Sequence, residues 1–260
     1  KKQGYAESTI EGRTKIIKIL AKRGVNLFDP ESVKEGIAKQ EWSLGRKANA
    51  VDAYSGFIQM HGKTWDPPFY NKVKKLPFIP TETEIDQLIA GCGRKTATLL
   101  QLLKETAIRV GEAWKLHWTD IDFKNKTITV TPEKGSEPRI FKASDTLTEM
   151  LHAINVDTKR NRVFAKSLKS HRRLFYNFRR RVAGKLKNPR IIRITFHTFR
   201  HWKATTLYHQ TKDILYVMRF LGHKNIKNTL IYVQLKEAIF EKGSDEYISK
   251  AVTTVEEVCK

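Results

Sequence analysis

Within "ITFHTFRHW", Ile194 to Trp202, two histidines and an arginine fall at helical spacing: His197 and His201 are four residues apart, and His197 and Arg200 three. Histidines at i and i+4 on one helix face can hold zinc, but the zinc-protease version needs a Glu directly after the first His, and Thr198 stands there. Arg200 between the two rings would repel a divalent cation, and a third ligand is not evident. An anion suits the set better. His197 and Arg200 project from one helix face and can grip one phosphate, Arg200 with a planar two-pronged donor set.

Other residues able to do chemistry are scattered along the chain. Arg109 sits in "ETAIRVGEAWKLHWTDIDF" with Glu105 four before it and Glu112 three after, so carboxylates either hold it for a task or simply pair with it. Lys134 falls in "TPEKGSEP", His223 follows Leu221 and Gly222, and Tyr232 lies nine residues further on in "TLIYV". Singly, these read as a solvated turn lysine, a helix-start histidine and a half-buried packing tyrosine. Tyr208 and Tyr216 are nearer to the His/Arg cluster than Tyr232 is.

The elements that must position these groups are mostly helical. Residues 1–65 form a helical N-terminal bundle: one helix capped by Ser8 or Thr9 and stopped at Gly24, one with Asp29 as N-cap and Pro30 at its first position, and one ending near Gly62. Residues 66–80, with Pro67, Pro68, Pro77 and Pro80 among Lys72, Lys74 and Lys75, make a basic, Pro-rich linker. A larger domain spans 81–236. It opens on a helix with Thr81 and Glu84 spaced as a capping box, and "ATLLQLLKETAIRVGEAWKLHW" carries a helical apolar stripe. "KTITV" and "RIFKA" alternate as strands around a long hairpin loop. The fold class is therefore mainly α with a small antiparallel β-sheet. The segment 237–260 reverses the charge trend, with six acidic and three basic residues, and is amphipathic.

Forty-nine basic against 27 acidic residues leave a formal charge of +22, and the sequence pI is about 10.0. Thr158 to Lys212 holds 17 Lys or Arg and no Asp or Glu, with aromatics interleaved in "HRRLFYNFRRR". A polyanion is the expected partner, bound with counterion release and hence weakened steeply by salt. Arg172, Arg173, Arg179, Arg180, Arg181, Lys74 and Lys75 are the candidate nucleic-acid contacts. Cys92 and Cys259, without a CxxC pair, support neither a disulfide framework nor a thiolate zinc site, and a reducing cytosol is the expected home. No stretch is apolar enough to span a membrane. The chain starts at Lys1 and reads as beginning inside a longer product.

Taken in order, Arg109, Lys134, "HTFR", "LGH" and Tyr232 in "TLIYV" resemble the catalytic domain of the tyrosine recombinases, the phage-integrase and Xer-like family. The resemblance runs from about Leu76 to Leu235, and the N-terminal bundle resembles that family's core-binding domain in size, helicity and charge. It implies a two-domain DNA clamp that acts as a site-specific recombinase or integrase on double-stranded DNA carrying a recombination site, as a homotetramer, without metal, ATP or other cofactor. It implies that Arg109 and Arg200 clamp the scissile phosphate, and that His197 and His223 hydrogen-bond to it, His197 also being able to take the nucleophile's proton. Lys134 would protonate the leaving 5′ oxygen, and Tyr232 would attack to give a 3′-phosphotyrosyl linkage. The 237–260 segment would dock on a neighbouring protomer. His201 receives no role and is expected on the helix surface or against DNA. Two positions depart from the family pattern: Ala107 stands where a Gly is usual, and "RVGEA" replaces Ile-Ser-Glu-Leu after the first arginine. The rival functions are a relaxing type IB topoisomerase and a DNA-binding protein of the same fold without the reaction.

Overall fold

The computed structural model describes residues 4–71, 75–133, 135–155 and 161–233; Lys74, Lys134 and the 237–260 segment lie outside the described residues. The chain divides into two compact units after Lys75, inside the 66–80 stretch.

The first unit has three helices, α1 (Glu7–Lys22), α2 (Pro30–Ala38) and α3 (Leu44–Met60). Ala6, not Ser8 or Thr9, is the N-cap of α1, which has no side-chain cap; Glu7 in its first turn favours the positive helix end instead. Asp29 caps α2 by accepting from the Glu31 amide, with Pro30 at the first helical position as expected, and Ser43 caps α3. Gly24 and Gly62 follow α1 and α3 with φ +80° and +69°. Leu20, Val33, Ile37, Val51, Tyr54 and Ile58 close the core. Trp65 packs there and donates from Nε1 to Ser55 Oγ at 3.0 Å, and Tyr70 packs against the same core, so the start of the Pro-rich stretch is bound to this unit.

The second unit has α4 (Glu82–Ala90), α5 (Arg94–Thr106), α6 (Val110–Lys115), β1 (Ile121–Asp122), β2 (Thr127–Val130), β3 (Arg139–Lys142), α7 (Asp145–Ile154), α8 (Leu168–Lys185), α9 (Phe196–Thr211) and α10 (Ile214–Leu221). The strands form one antiparallel sheet in the order β1-β2-β3, with Ile128 opposite Phe141. Thr81 and Glu84 form the expected capping box at α4. The apolar stripe predicted to run on through Arg109 is interrupted. Helix α5 ends at Thr106, Ala107 takes left-handed backbone with φ 52°, and Arg109 becomes the N-cap of a new helix. That conformation explains why Gly is usual at this place, since a Cβ costs roughly 1–2 kcal/mol there.

Helix α9 is the central element. Its Phe199 and Trp202 join the main core built on α4, α5, α7 and α8, while Ala204 and Leu207 pack with Ala107, Val217, Leu221 and Tyr232. The break after α5, the start of α9 and the end of α10 are thereby drawn to one place.

Candidate active site

Glu112 organises one wall. Its side chain has no exposure, and it accepts the Arg109 amide at 2.8 Å, Arg109 Nη1 at 3.2 Å and the Glu133 amide at 3.3 Å. Arg139 Nη2 adds a charge contact at 2.8 Å, without the alignment of a hydrogen bond. Burial by itself would raise the carboxyl's pKa, but the Arg109 amide and the Arg139 charge outweigh it, so it lies below the usual range and Glu112 stays ionised. Glu105, the other carboxylate near Arg109 in sequence, is engaged elsewhere. It accepts from the Ser144 amide at 3.1 Å and from Gln101 Nε2 at 2.8 Å, because the helix break turns it away from Arg109.

Among the described residues Arg200 is the largest fully buried side chain, 1% exposed. It donates from Nη1 to the Ala107 carbonyl at 2.8 Å and from Nη2 to the Leu221 carbonyl at 2.6 Å. Arg139 Nη1 donates to that same Leu221 oxygen at 2.6 Å. Burial, then the Arg109 charge, lowers the Arg200 pKa to about 10, with Tyr232, Arg139 and Glu112 also acting on it. At neutral pH the guanidinium remains charged. Three buried or half-buried arginines thus face the single carboxylate of Glu112, and the surplus positive charge suits an anion.

Gly222 ends α10 with φ +66°, and a Cβ there would lie 2.9 Å from Arg139 Nε and 3.0 Å from Ser136 Oγ. Ser136 Oγ donates to the Gly222 carbonyl at 2.8 Å and accepts Arg109 Nη1 at 2.7 Å, which ties the hairpin loop to both walls. His223 follows, its Nδ1 2.9 Å from Thr229 Oγ1. Burial first, then Arg200, Arg109 and Arg139, push its pKa down to about 3. His197, in the first turn of α9, is also lowered by burial, Arg200 and Arg109.

Tyr232 is 2% exposed. Burial raises its pKa to about 12, against the opposing pull of Arg200 and Arg109. Its hydroxyl lies 3.1 Å from Nδ1 of His201, whose ring meets the His197 ring edge-on at 4.5 Å between centroids. His201 is therefore not helix surface. At four residues beyond His197 it shares that face of α9, and the face is turned inward. Tyr216, by contrast, is 44% exposed and packs beside Phe220.

Arg109, His197, Arg200, His223 and Tyr232 are thus brought into one electrostatic neighbourhood from the α5–α6 break, α9 and the segment after α10. Arg139, Ser136 and the Tyr232 contact of His201 were missed from sequence; only the alternation of β3, which puts Arg139 on the same face as Phe141, hinted that it is buried. Among the DNA-contact candidates, Arg172, Arg173, Arg180, Arg181 and Lys75 are exposed. Arg179 is half-buried and donates from Nη1 to the Ile194 carbonyl at 2.6 Å, making it a brace between α8 and the approach to α9. Among the described residues no group of three or more His, Cys, Asp or Glu could hold a metal ion, and no helix is long and apolar enough to cross a membrane.

The fold and site together define a mainly α domain with a small antiparallel sheet and a buried, cationic site suited to an anion. The chain belongs to the phage integrase family, whose model matches residues 80–238. It is 29% identical over 225 residues to the tyrosine recombinase XerA of Saccharolobus solfataricus, covering 83% of this chain and 73% of that one. To a tyrosine recombinase of Thermosipho africanus it is 25% identical over 214 residues, covering 78% and 75%. The structure of the Tn1549 transposon integrase in complex with transposon right end DNA superposes with a TM-score of 0.70 at 15% identity, covering 99% of this chain and 95% of that one.

Proposed function

We propose that this chain is a site-specific DNA recombinase that breaks and rejoins strands through a 3′-phosphotyrosyl intermediate at Tyr232. The observation that carries the proposal is the buried Tyr232 hydroxyl under the influence of Arg200 and Arg109, the two cations best suited to a phosphate. In-line attack on a phosphodiester requires charge stabilisation on the non-bridging oxygens, and bidentate guanidinium groups supply it. Arg109 and Arg200 clamp the phosphate, and His197 and His223 add hydrogen bonds to it. The Tyr232 hydroxyl passes its proton to a neighbouring histidine as its oxygen bonds to phosphorus, the bond to the 5′ oxygen breaks, and Lys134 protonates that oxygen. The phosphotyrosyl bond keeps the energy for rejoining.

The N-terminal unit (1–65) serves as core-binding domain, residues 66–80 as linker and 81–236 as catalytic domain, closing as a clamp on double-stranded DNA with a specific recombination site. Four copies assemble on two sites, with the 237–260 segment docking on the neighbouring protomer. The protein works in the cytoplasm at the nucleoid. The net charge of +22 and the DNA complexes of the structural neighbours support the partner.

The test is incubation with nicked duplexes, selected by this protein from a randomised pool, in the presence of EDTA. A covalent protein–DNA band that Tyr232→Phe abolishes is the expected result. No band from the wild type would leave a DNA-binding protein without the reaction, a band from Tyr232→Phe would dismiss the nucleophile, and relaxation of supercoiled DNA without strand exchange would point to topoisomerase action.

A further inference from the structure

The Tyr232 hydroxyl must lose a proton to attack, and at a pKa of about 12 it does not do so unaided at neutral pH. His197, four residues earlier on α9, touches the His201 ring, whereas the hydroxyl contact belongs to His201, with Nδ1 at 3.1 Å from the phenolic oxygen. The first turns of α9 fix this arrangement: Thr195 and Thr198 cap the helix, Thr205 Oγ1 donates back to the His201 carbonyl at 2.9 Å, and Trp202 and Phe199 anchor the opposite face in the core.

We propose that His201 is the catalytic base of the reaction, accepting the Tyr232 hydroxyl proton on Nδ1 as the tyrosine oxygen attacks phosphorus. The proposal rests on the assignment of Tyr232 as nucleophile. In the step, the Tyr232 O–H bond breaks and an N–H bond forms on His201. The phenolic oxygen bonds to phosphorus, the bond to the 5′ oxygen breaks, and Lys134 supplies that oxygen's proton. On rejoining, the 5′ hydroxyl returns its proton to Lys134 and its oxygen bonds to phosphorus, while the phosphotyrosyl bond breaks and the imidazolium gives its proton back to Tyr232.

The electrostatics of the empty site keep His201 unprotonated and make it a weak base until the phosphate is bound. Burial, then His197 and Arg200, push the His201 pKa down to about 4, so its imidazole is neutral and free to accept. An imidazole whose Nδ1 accepts from a phenol carries its own hydrogen on Nε2, which fixes the tautomer. The groups facing the ring are the His197 imidazole and Arg200 from its own helix and the Tyr232 phenol from the segment after α10. An incoming phosphodiester, gaining negative charge in the transition state, offsets the Arg200 charge, one of the three effects that oppose protonation. His201 therefore becomes a stronger base when the phosphate arrives.

The distinguishing variant is His201→Asn, whose side-chain oxygen can occupy the Nδ1 position and accept the same hydrogen bond without taking the proton. Covalent adduct formation is followed on the nicked selected duplex from pH 6 to 9. The wild type is expected to be nearly flat. His201→Asn is expected to lose about 100-fold at pH 7 and to regain tenfold per pH unit as hydroxide replaces the base, with DNA binding unchanged. A flat profile at wild-type rate in His201→Asn overturns the proposal. Should the variant fold poorly, the ¹⁵N spectrum of wild-type histidines, with His201 assigned through its change in Tyr232→Phe, decides: an unprotonated Nδ1 supports the base, and a protonated Nδ1 overturns it. Loss of the wild-type adduct, or its persistence in Tyr232→Phe, strikes the nucleophile assignment instead, so the two failures are distinguishable.

Discussion

Glu112→Gln is the change that most sharply probes how the arginines are held. The carboxylate accepts two amides and faces the guanidinium groups of Arg109 and Arg139 with no exposure to water. Gln keeps the volume and one acceptor, but its amide nitrogen must then face donors from Arg109 or Arg139, and Arg109, Arg139 and Arg200 lose the charge that offsets them. Removing one partner of a buried, hydrogen-bonded ion pair costs about 3–5 kcal/mol. At about 1.4 kcal/mol per factor of ten, that is roughly 10²- to 4 × 10³-fold in the equilibrium for opening the second unit. Amide hydrogen exchange in α5 and α9 reads this unit separately from the first, and protection there should fall by that factor. Added duplex DNA, bringing negative charge to the same arginines, should restore part of it. A fall of less than tenfold would mean that Glu112 is not what allows three arginines to share this interior.

The remaining expectations concern single residues and pH. Gly222→Ala should destabilise the second unit by about 1–2 kcal/mol in a melt, because left-handed backbone disfavours a Cβ, and should slow adduct formation by shifting His223; an unchanged rate would separate the helix end from the chemistry. His201 and His223 have folded pKa values of about 4 and 3, below the ordinary 6.5. The unfolded chain therefore binds protons that the fold does not, and stability present above pH 6.5 should decline as pH falls toward 4, by about 2 kcal/mol for each histidine at pH 5. Denaturant midpoints at pH 7.5 and 5 check the sign, and equal midpoints would contradict it. Arg179→Ala should lower stability by about 1–3 kcal/mol by leaving the Ile194 carbonyl unpaired, while Arg173→Ala should leave the melt unchanged and reduce the slope of log affinity against log salt by about one.

The parts of this molecule legible in the sequence were those whose cause is local. Asp29 before Pro30, and Thr81 three residues before Glu84, name their helix starts because the side chains that satisfy the free amides are present at the required spacing. The two strands around 131–138 were legible from alternation. The start of α1 was not, since Ser8 and Thr9 are good caps and the chain begins the helix at Glu7 without one. The break at Ala107 was hidden for a related reason: an alanine in an apolar run favours a helix, and only tertiary contact, including the Arg200 donation to its carbonyl, makes left-handed backbone worthwhile there. Arg109, His197, Arg200, His223 and Tyr232 could be ordered by resemblance. The inward turn of His201 and the burial of Arg139 depend on residues 31 and 82 positions away, which no local pattern encodes.

In the proposed reaction Tyr232 makes the covalent bond to DNA. The adduct formed on a nicked selected duplex, digested with nuclease and protease and sequenced by mass spectrometry, tests it most directly. The expected product is a nucleotide joined through its 3′ phosphate to Tyr232. A nucleotide on Tyr208, Tyr216 or any other residue, or one joined through a 5′ phosphate, would contradict it.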